Sequence, residues 1–196
     1  MKRLDYLWLK LCAMALLVFG RTQAAMDVFA EMLRRWPTDR YALASQAHLL
    51  VQGGRMDEAL VVSTQLVGTA SADASSWFNH GFMLEEAGRP ADALVAFERA
   101  TQLDAELDRA WYGMGLALIR LERYDEAVAA LERNTKLQPM SPYGWYQLAR
   151  AHVDRQRPDE AVAIIRHLKG FEPKVAAQLE RETGLSAGVI ADKVRA

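Results

Sequence analysis

Four histidines, His48, His80, His152 and His167, and one cysteine, Cys12, are the residues of this chain best suited to bind metal, attack a substrate or carry a proton. Their spacing supports none of these roles. No two histidines stand in a His-x-x-x-His step and none lies near the cysteine. A thiolate zinc site usually needs two or more closely spaced cysteines, and a single cysteine excludes an intramolecular disulfide. Acidic pairs recur at Asp57-Glu58, Asp125-Glu126 and Asp159-Glu160. They stand where helices are expected to begin, so they read as helix-dipole and solvent residues, not as an acid/base dyad. The chain has no nucleophile elbow, P-loop or dinucleotide fingerprint, and Gly113-Met114-Gly115 falls inside a predicted helix without a preceding strand. The expectation is a non-catalytic protein with no metal, cofactor or small-molecule substrate. What remains is recognition chemistry, carried by tyrosine, phenylalanine and arginine at regular spacing.

The elements that position these residues are helices. Of the 196 residues, 51% are hydrophobic, enough to bury a core, and only six are proline and 12 glycine. Abundant Ala, Leu, Glu and Arg favour an all-α fold. Twenty-four Lys and Arg balance 25 Asp and Glu, for a net charge of -1, which offers no basic field for nucleic acid.

A repeat orders the helices. Trp77, Trp111 and Trp145 are spaced 34 residues apart, and the same step leads back to Leu43 and Leu9. Four residues later a small residue recurs at Ala13, Ala47, Gly81, Gly115 and Ala149, and sixteen later alanine recurs at Ala25, Ala59, Ala93, Ala127 and Ala161. An arginine column, Arg21, Arg55, Arg89, Arg123 and Arg157, lies between them and follows Gly20, Gly54 and Gly88 in the first three units. Acidic residues, with Pro90 and Pro158, mark the start of the second helix of a unit, while Pro37, Pro139 and Pro173 mark where a helix should stop. The small columns let the two helices of a unit approach closely, and the tryptophans are expected to fill the space between units.

This pattern resembles the tetratricopeptide-repeat signature. The third unit carries it best, in Trp77, Gly81, Leu84, Gly88, Ala93, Phe97 and Ala100; the fourth offers Trp111, Gly115, Leu118, Tyr124, Ala127, Leu131 and Pro139. Glu122 and Gln156 replace the turn glycine, and Ser63 stands at the aromatic column of the second unit. The resemblance implies an all-α, right-handed helical-repeat solenoid of five 34-residue units, at about 6–39, 40–73, 74–107, 108–141 and 142–175. The array would then span residues 1–175, with a C-terminal cap over 176–196. His80 and His152 fall at core columns and are expected to be packed or hydrogen-bonded.

The resemblance also implies a use. In such repeats the first helix of each unit lines a concave groove that holds a protein or peptide partner. Carried over by position, the groove comprises Tyr41, His48, Phe78, Asn79, Phe82, Arg109, Tyr112, Leu116, Tyr143, Tyr146 and Arg150. Its aromatics and arginines suit an apolar or aromatic segment bearing an acidic group. A carboxylate clamp is poorly matched, because Lys10 and Asn79 occupy two of its positions while Met14 and Gly113 stand where polar support belongs.

The two ends carry separate expectations. Residues 1–24 combine Lys2 and Arg3, an apolar run and Ala24 in the manner of a secretory signal, yet Leu9, Ala13, Leu16, Gly20 and Arg21 keep the register of the other units. The register favours a retained repeat helix in a cytoplasmic protein; the composition leaves open an exported or membrane-associated one. The apolar run is shorter than the roughly 20 residues of a membrane span. Leu17, Val18 and Phe19 are more apolar than their counterparts, so this end is expected to bury against a partner or a membrane surface. The alternative function is therefore a structural or assembly subunit docked through its first helix. At the other end Val175, Ala176 and Leu179 predict a capping helix, Thr183-Gly184 a stop, and 186–194 a short closing helix.

Overall fold

In a computed structural model that describes residues 2–188, these residues form eleven α-helices and no strand. First helices of the repeat are α1 (Lys2–Val18), α3 (Arg40–Gln52), α5 (Ala74–Glu86), α7 (Asp108–Arg120) and α9 (Pro142–Asp154). Second helices are α2 (Thr22–Arg35), α4 (Met56–Val67), α6 (Pro90–Leu103), α8 (Tyr124–Leu137) and α10 (Pro158–Lys169), followed by α11 (Pro173–Thr183). The chain divides into two compact halves, residues 1–104 with α1–α6 and residues 105–196 with α7–α11.

Each pair is closed by the same turn. Gly20, Gly54, Gly88, Glu122 and Gln156 have φ between 58° and 72°, the left-handed region. The arginine after each donates its amide to a carbonyl five residues back: Arg21 to Leu16, Arg55 to Leu50, Arg89 to Leu84, Arg123 to Leu118 and Arg157 to His152. These bonds satisfy carbonyls that the end of a helix leaves open. Glycine adopts the conformation without cost, whereas Glu122 and Gln156 hold it against their Cβ atoms. The arginines also pair with acids three residues on, Arg55 with Glu58, Arg89 with Asp92 and Arg123 with Glu126, at 2.6 Å. Arg123 holds the Glu126 carboxyl below its ordinary range. These pairs are exposed and contribute little to stability.

Within a pair, contact is set by the small columns. Ala25, Ala59, Ala93, Ala127 and Ala161 are all fully buried, as are Ala13 and Ala149. A Cβ on Gly81 would lie 2.8 Å from the Phe97 ring, and one on Gly115 would lie 2.6 Å from Leu131 Cγ. Trp145 packs against a core that includes Val128 and Leu131 of the preceding pair. Its ring lies tilted against His167 of its own pair, 4.5 Å between centroids, and its indole N–H donates to the Pro139 carbonyl at 2.8 Å. Trp111 likewise bonds the Ala105 carbonyl at 2.9 Å. An indole carries one donor, and here it ties each helix to the connection before it.

At the N-terminus α1 packs on α2 as later first helices do, through Ala13, Phe29 and Met32. Its outer face leaves Leu4, Trp8, Leu11 and Val18 exposed, Trp8 by 67%, and Phe19 in the turn after it is exposed too. No helix among the described residues is long and apolar enough to cross a membrane. Pro173 opens α11 where the sequence pattern placed a stop, because proline is tolerated at the first position of a helix. Gly184 ends α11 at φ 70°, and Lys169 bonds both Glu180 and the Ala187 carbonyl across this end. Residues 186–188 are not helical, and the rest of the expected closing helix lies outside the described residues.

The turn geometry predicts that Glu122→Gly raises stability by about 0.5–1 kcal/mol and Gly88→Ala lowers it by about 1 kcal/mol, since the left-handed backbone penalises a Cβ. Urea unfolding of both variants reads the effect; no gain from glycine at position 122 would mean that the turn there is unstrained.

Candidate partner-binding surface

The eleven residues carried over to the groove all lie on first helices, on α3, α5, α7 and α9. In the N-terminal half, His48 and Asn79 are exposed, Phe82 is 48% exposed and Phe78 is half-buried against Phe97, ring centroids 6.0 Å apart. These four residues line one cavity of about 340 Å³ between α3 and α5, with Ser63 and Leu66 of α4 among its walls. Tyr41 lies apart from it. Its ring packs edge-on against Phe29 at 5.8 Å and carries the Lys10 ammonium 4.4 Å from its centroid. Tyr41 is half-buried and packs against the core formed by α1, α2 and α3.

In the C-terminal half Tyr143 is 71% exposed, Arg109 is exposed, and Tyr112 and Leu116 are half-buried. Burial pushes the Tyr112 hydroxyl up, partly offset by its hydrogen bond with Gln147. Tyr146 and Arg150 are engaged by the capping helix. The Tyr146 hydroxyl donates to Glu182 at 2.5 Å, and Arg150 lies 3.5 Å from the same hydroxyl. The Tyr146 hydroxyl, then Gln178 and the charge of Arg150 hold the Glu182 carboxylate below its ordinary range. Arg150, Val153, Asp154, Glu182 and Thr183 border a second cleft of about 420 Å³. Glu182 was missed by sequence reasoning, because it lies 36 residues from Tyr146 and beyond the repeat.

The two core histidines are packed as their columns imply. His80 is buried and its Nδ1 lies 2.8 Å from the Ser63 hydroxyl. His152 is buried, and its Nδ1 has no hydrogen-bond partner among the described residues. Burial lowers the pKa of both, helped by the positive charge of Arg89 near His80 and of Arg155 near His152. Among the described residues no group of three His, Cys, Asp or Glu side chains gathers as a metal site would require.

A family model for the tetratricopeptide repeat matches residues 83–139 and 112–173. Residues 83–173 of the chain belong to the tetratricopeptide-repeat family. Solved structures share the array's fold at low identity. The MamA protein is 17% identical, with a TM-score of 0.76 over 95% of this chain and 98% of that one. YrrB, described as a TPR protein with an unusual peptide-binding site, is 16% identical, with a TM-score of 0.78 over 86% of this chain and 88% of its own. A tetratricopeptide repeat protein from Parabacteroides merdae is 20% identical, with a TM-score of 0.78 over 91% of this chain and 73% of that one. No curated protein matches the chain.

The buried histidines give this tetratricopeptide array a pH dependence of known sign. Each has a folded-state pKa below its ordinary value of 6.5, so the unfolded chain binds the extra protons. Their contribution is complete above that value and is lost as pH falls towards the folded-state values. Thermal unfolding between pH 8 and pH 5 is expected to show a falling Tm, and His80→Asn with His152→Asn should flatten the slope. An unchanged slope would remove the histidines from the account.

Proposed function

We propose that the chain is a non-catalytic interaction module that holds a peptide or helix of a partner protein on the exposed face of its first helices. The observation that carries this reading is the aromatic face of α7 and α9. Tyr143 stands 71% exposed there beside the half-buried Tyr112, with Arg109 on the same helices. Large rings exposed at helical spacing bury much area at small entropic cost, which is the composition of an interaction hot spot. The arginines favour a segment that brings an acidic group to the aromatic face. In the tie between Tyr146, Arg150 and Glu182 the carboxylate accepts from the phenol, and the phenol oxygen accepts from the guanidinium on the same helix, a precedent that supports this reading.

A second reading places the main contact on α1. In later units the position of Trp8 holds a small residue, Ala42, Ser76, Ala110 or Gly144, each buried. Ala42 packs under α2, and a Cβ on Gly144 would lie 2.1 Å from Asn134 of α8. Trp8 blocks that close approach, so a partner of α1 must sit differently from a preceding repeat. An apolar helix of this kind suits a permanent place in an assembly.

One experiment separates the two. Partners captured by the full chain from its native extract are identified and then tested against Tyr112→Ala with Tyr143→Ala, and against Trp8→Ser with Leu11→Ser. The groove reading predicts that the tyrosine variant loses capture, by at least tenfold in affinity, with helical content and Tm preserved. Capture that survives the tyrosine changes and disappears with the α1 changes would overturn it and move the contact to the first helix.

A further inference from the structure

The cavity in the N-terminal half has a cause in the repeat itself. Sixteen residues after each small residue of the first helix, the second helix places a side chain back against it. Phe29, Phe97, Leu131 and Ile165 occupy that position in four units, each buried to within 1% of completely. The second unit has Ser63 instead. Its hydroxyl lies 3.1 Å from the Leu60 carbonyl and 2.8 Å from His80 Nδ1, so it is held between its own helix and α5 and does not fill the space of a ring. The residue opposite is Ala47, the same type that faces Phe29 from Ala13 in the first unit. Alanine at this place therefore leaves room for a phenyl ring. The ring is missing, and a space of about 340 Å³ opens instead between α3 and α5.

The space is open towards the face that carries the exposed side chains of His48, Asn79 and Phe82, so an object can enter from outside. Ala44, Ala47, Phe78 and Met83 give it apolar walls, and its size matches the lower end of small-molecule sites, roughly 300 Å³. We propose that this is a binding pocket for one phenyl-sized apolar side chain of a partner peptide, seated from outside where Phe29 and Phe97 sit from within. The array supplies the template for its own ligand. A ring inserted there meets the surfaces that close on Phe97 in the next unit, and Ser63 makes the vacancy by being too short. The proposal rests on the groove reading and specifies an anchor for it within the N-terminal half.

The test uses the full chain and two free probes, N-acetyl-L-phenylalaninamide and N-acetyl-L-alaninamide, followed by NMR through the methyl groups of Ala44, Ala47 and Met83. The expected result is a saturable shift of these methyls with the phenyl probe, at a Kd of about 1 mM as befits a fragment, and none with the alanine probe. Ser63→Leu fills the pocket from below, and Ala44→Leu fills it from the wall while leaving the Ser63–His80 bond intact. Each is expected to weaken the phenyl probe at least tenfold with wild-type circular dichroism, and if one fails to fold the other decides. Absence of a saturable shift, equal binding of both probes, or an unchanged Kd in a folded filled variant would overturn the pocket. Loss of capture in the α7–α9 tyrosine variant alongside a negative probe result would leave the groove and remove only this anchor.

Discussion

The fold depends on one steric reciprocity, a residue without bulk on the first helix of a pair facing a large one sixteen positions later on the second, in four of the five pairs. At Gly81 and Phe97, and at Gly115 and Leu131, the approach is so close that a single added carbon would stand well inside van der Waals contact distance of its neighbour. Ala13 with Phe29 and Ala149 with Ile165 are looser forms of the same arrangement, sharing a core cluster in each case. Close-packed interiors resist both missing and extra volume, so this column sets how near the two helices lie. The left-handed turn then fixes the direction in which the second helix departs. Second helices begin at Thr22, Met56, Pro90, Tyr124 and Pro158, and that constant 34-residue step is the outward sign of the constraint.

The proposed function follows from where the constraint is satisfied and where it is relaxed. Where a large residue fills the column, the first helix has its inner side fully used and offers a partner only its outer side chains, as α9 does with Tyr143. At Ser63 the column is short and the inner side becomes accessible from outside. At α1 the outer column is overfilled by Trp8, which changes what can dock there. The same 34-residue plan thus yields an aromatic ledge, a pocket and an apolar helix face through three substitutions at positions of defined geometry.

Much of this was legible in the sequence because repetition averages over local noise. The five pairs, the burial of the alanine columns and the packing of His80 and His152 all follow from columns that recur with one period. Glu122 and Gln156 also held the turn despite lacking glycine, since the bonds from Arg123 and Arg157 over-determine the backbone. What escaped was whatever lies outside a column or across two of them. Glu182 reaches Tyr146 from a helix with no counterpart in earlier units. Tyr41 is half-buried between Lys10 and Phe29, neighbours that its own column does not reveal. Ser63 could be seen as a departure from the pattern, but its meaning as an empty place required knowing which small residue it faces.

A double-mutant cycle at Gly115 and Leu131 tests the reciprocity most directly. Stability is measured by denaturant unfolding for the parent chain, Gly115→Ala, Leu131→Ala and the two combined. The account predicts that Gly115→Ala costs about 1–3 kcal/mol in the parent, where its Cβ meets Leu131, and at least ~1 kcal/mol less once Leu131 is truncated. Equal cost in both backgrounds, additive to within about 0.5 kcal/mol, would contradict it, because the two residues would then not be setting the distance between the helices.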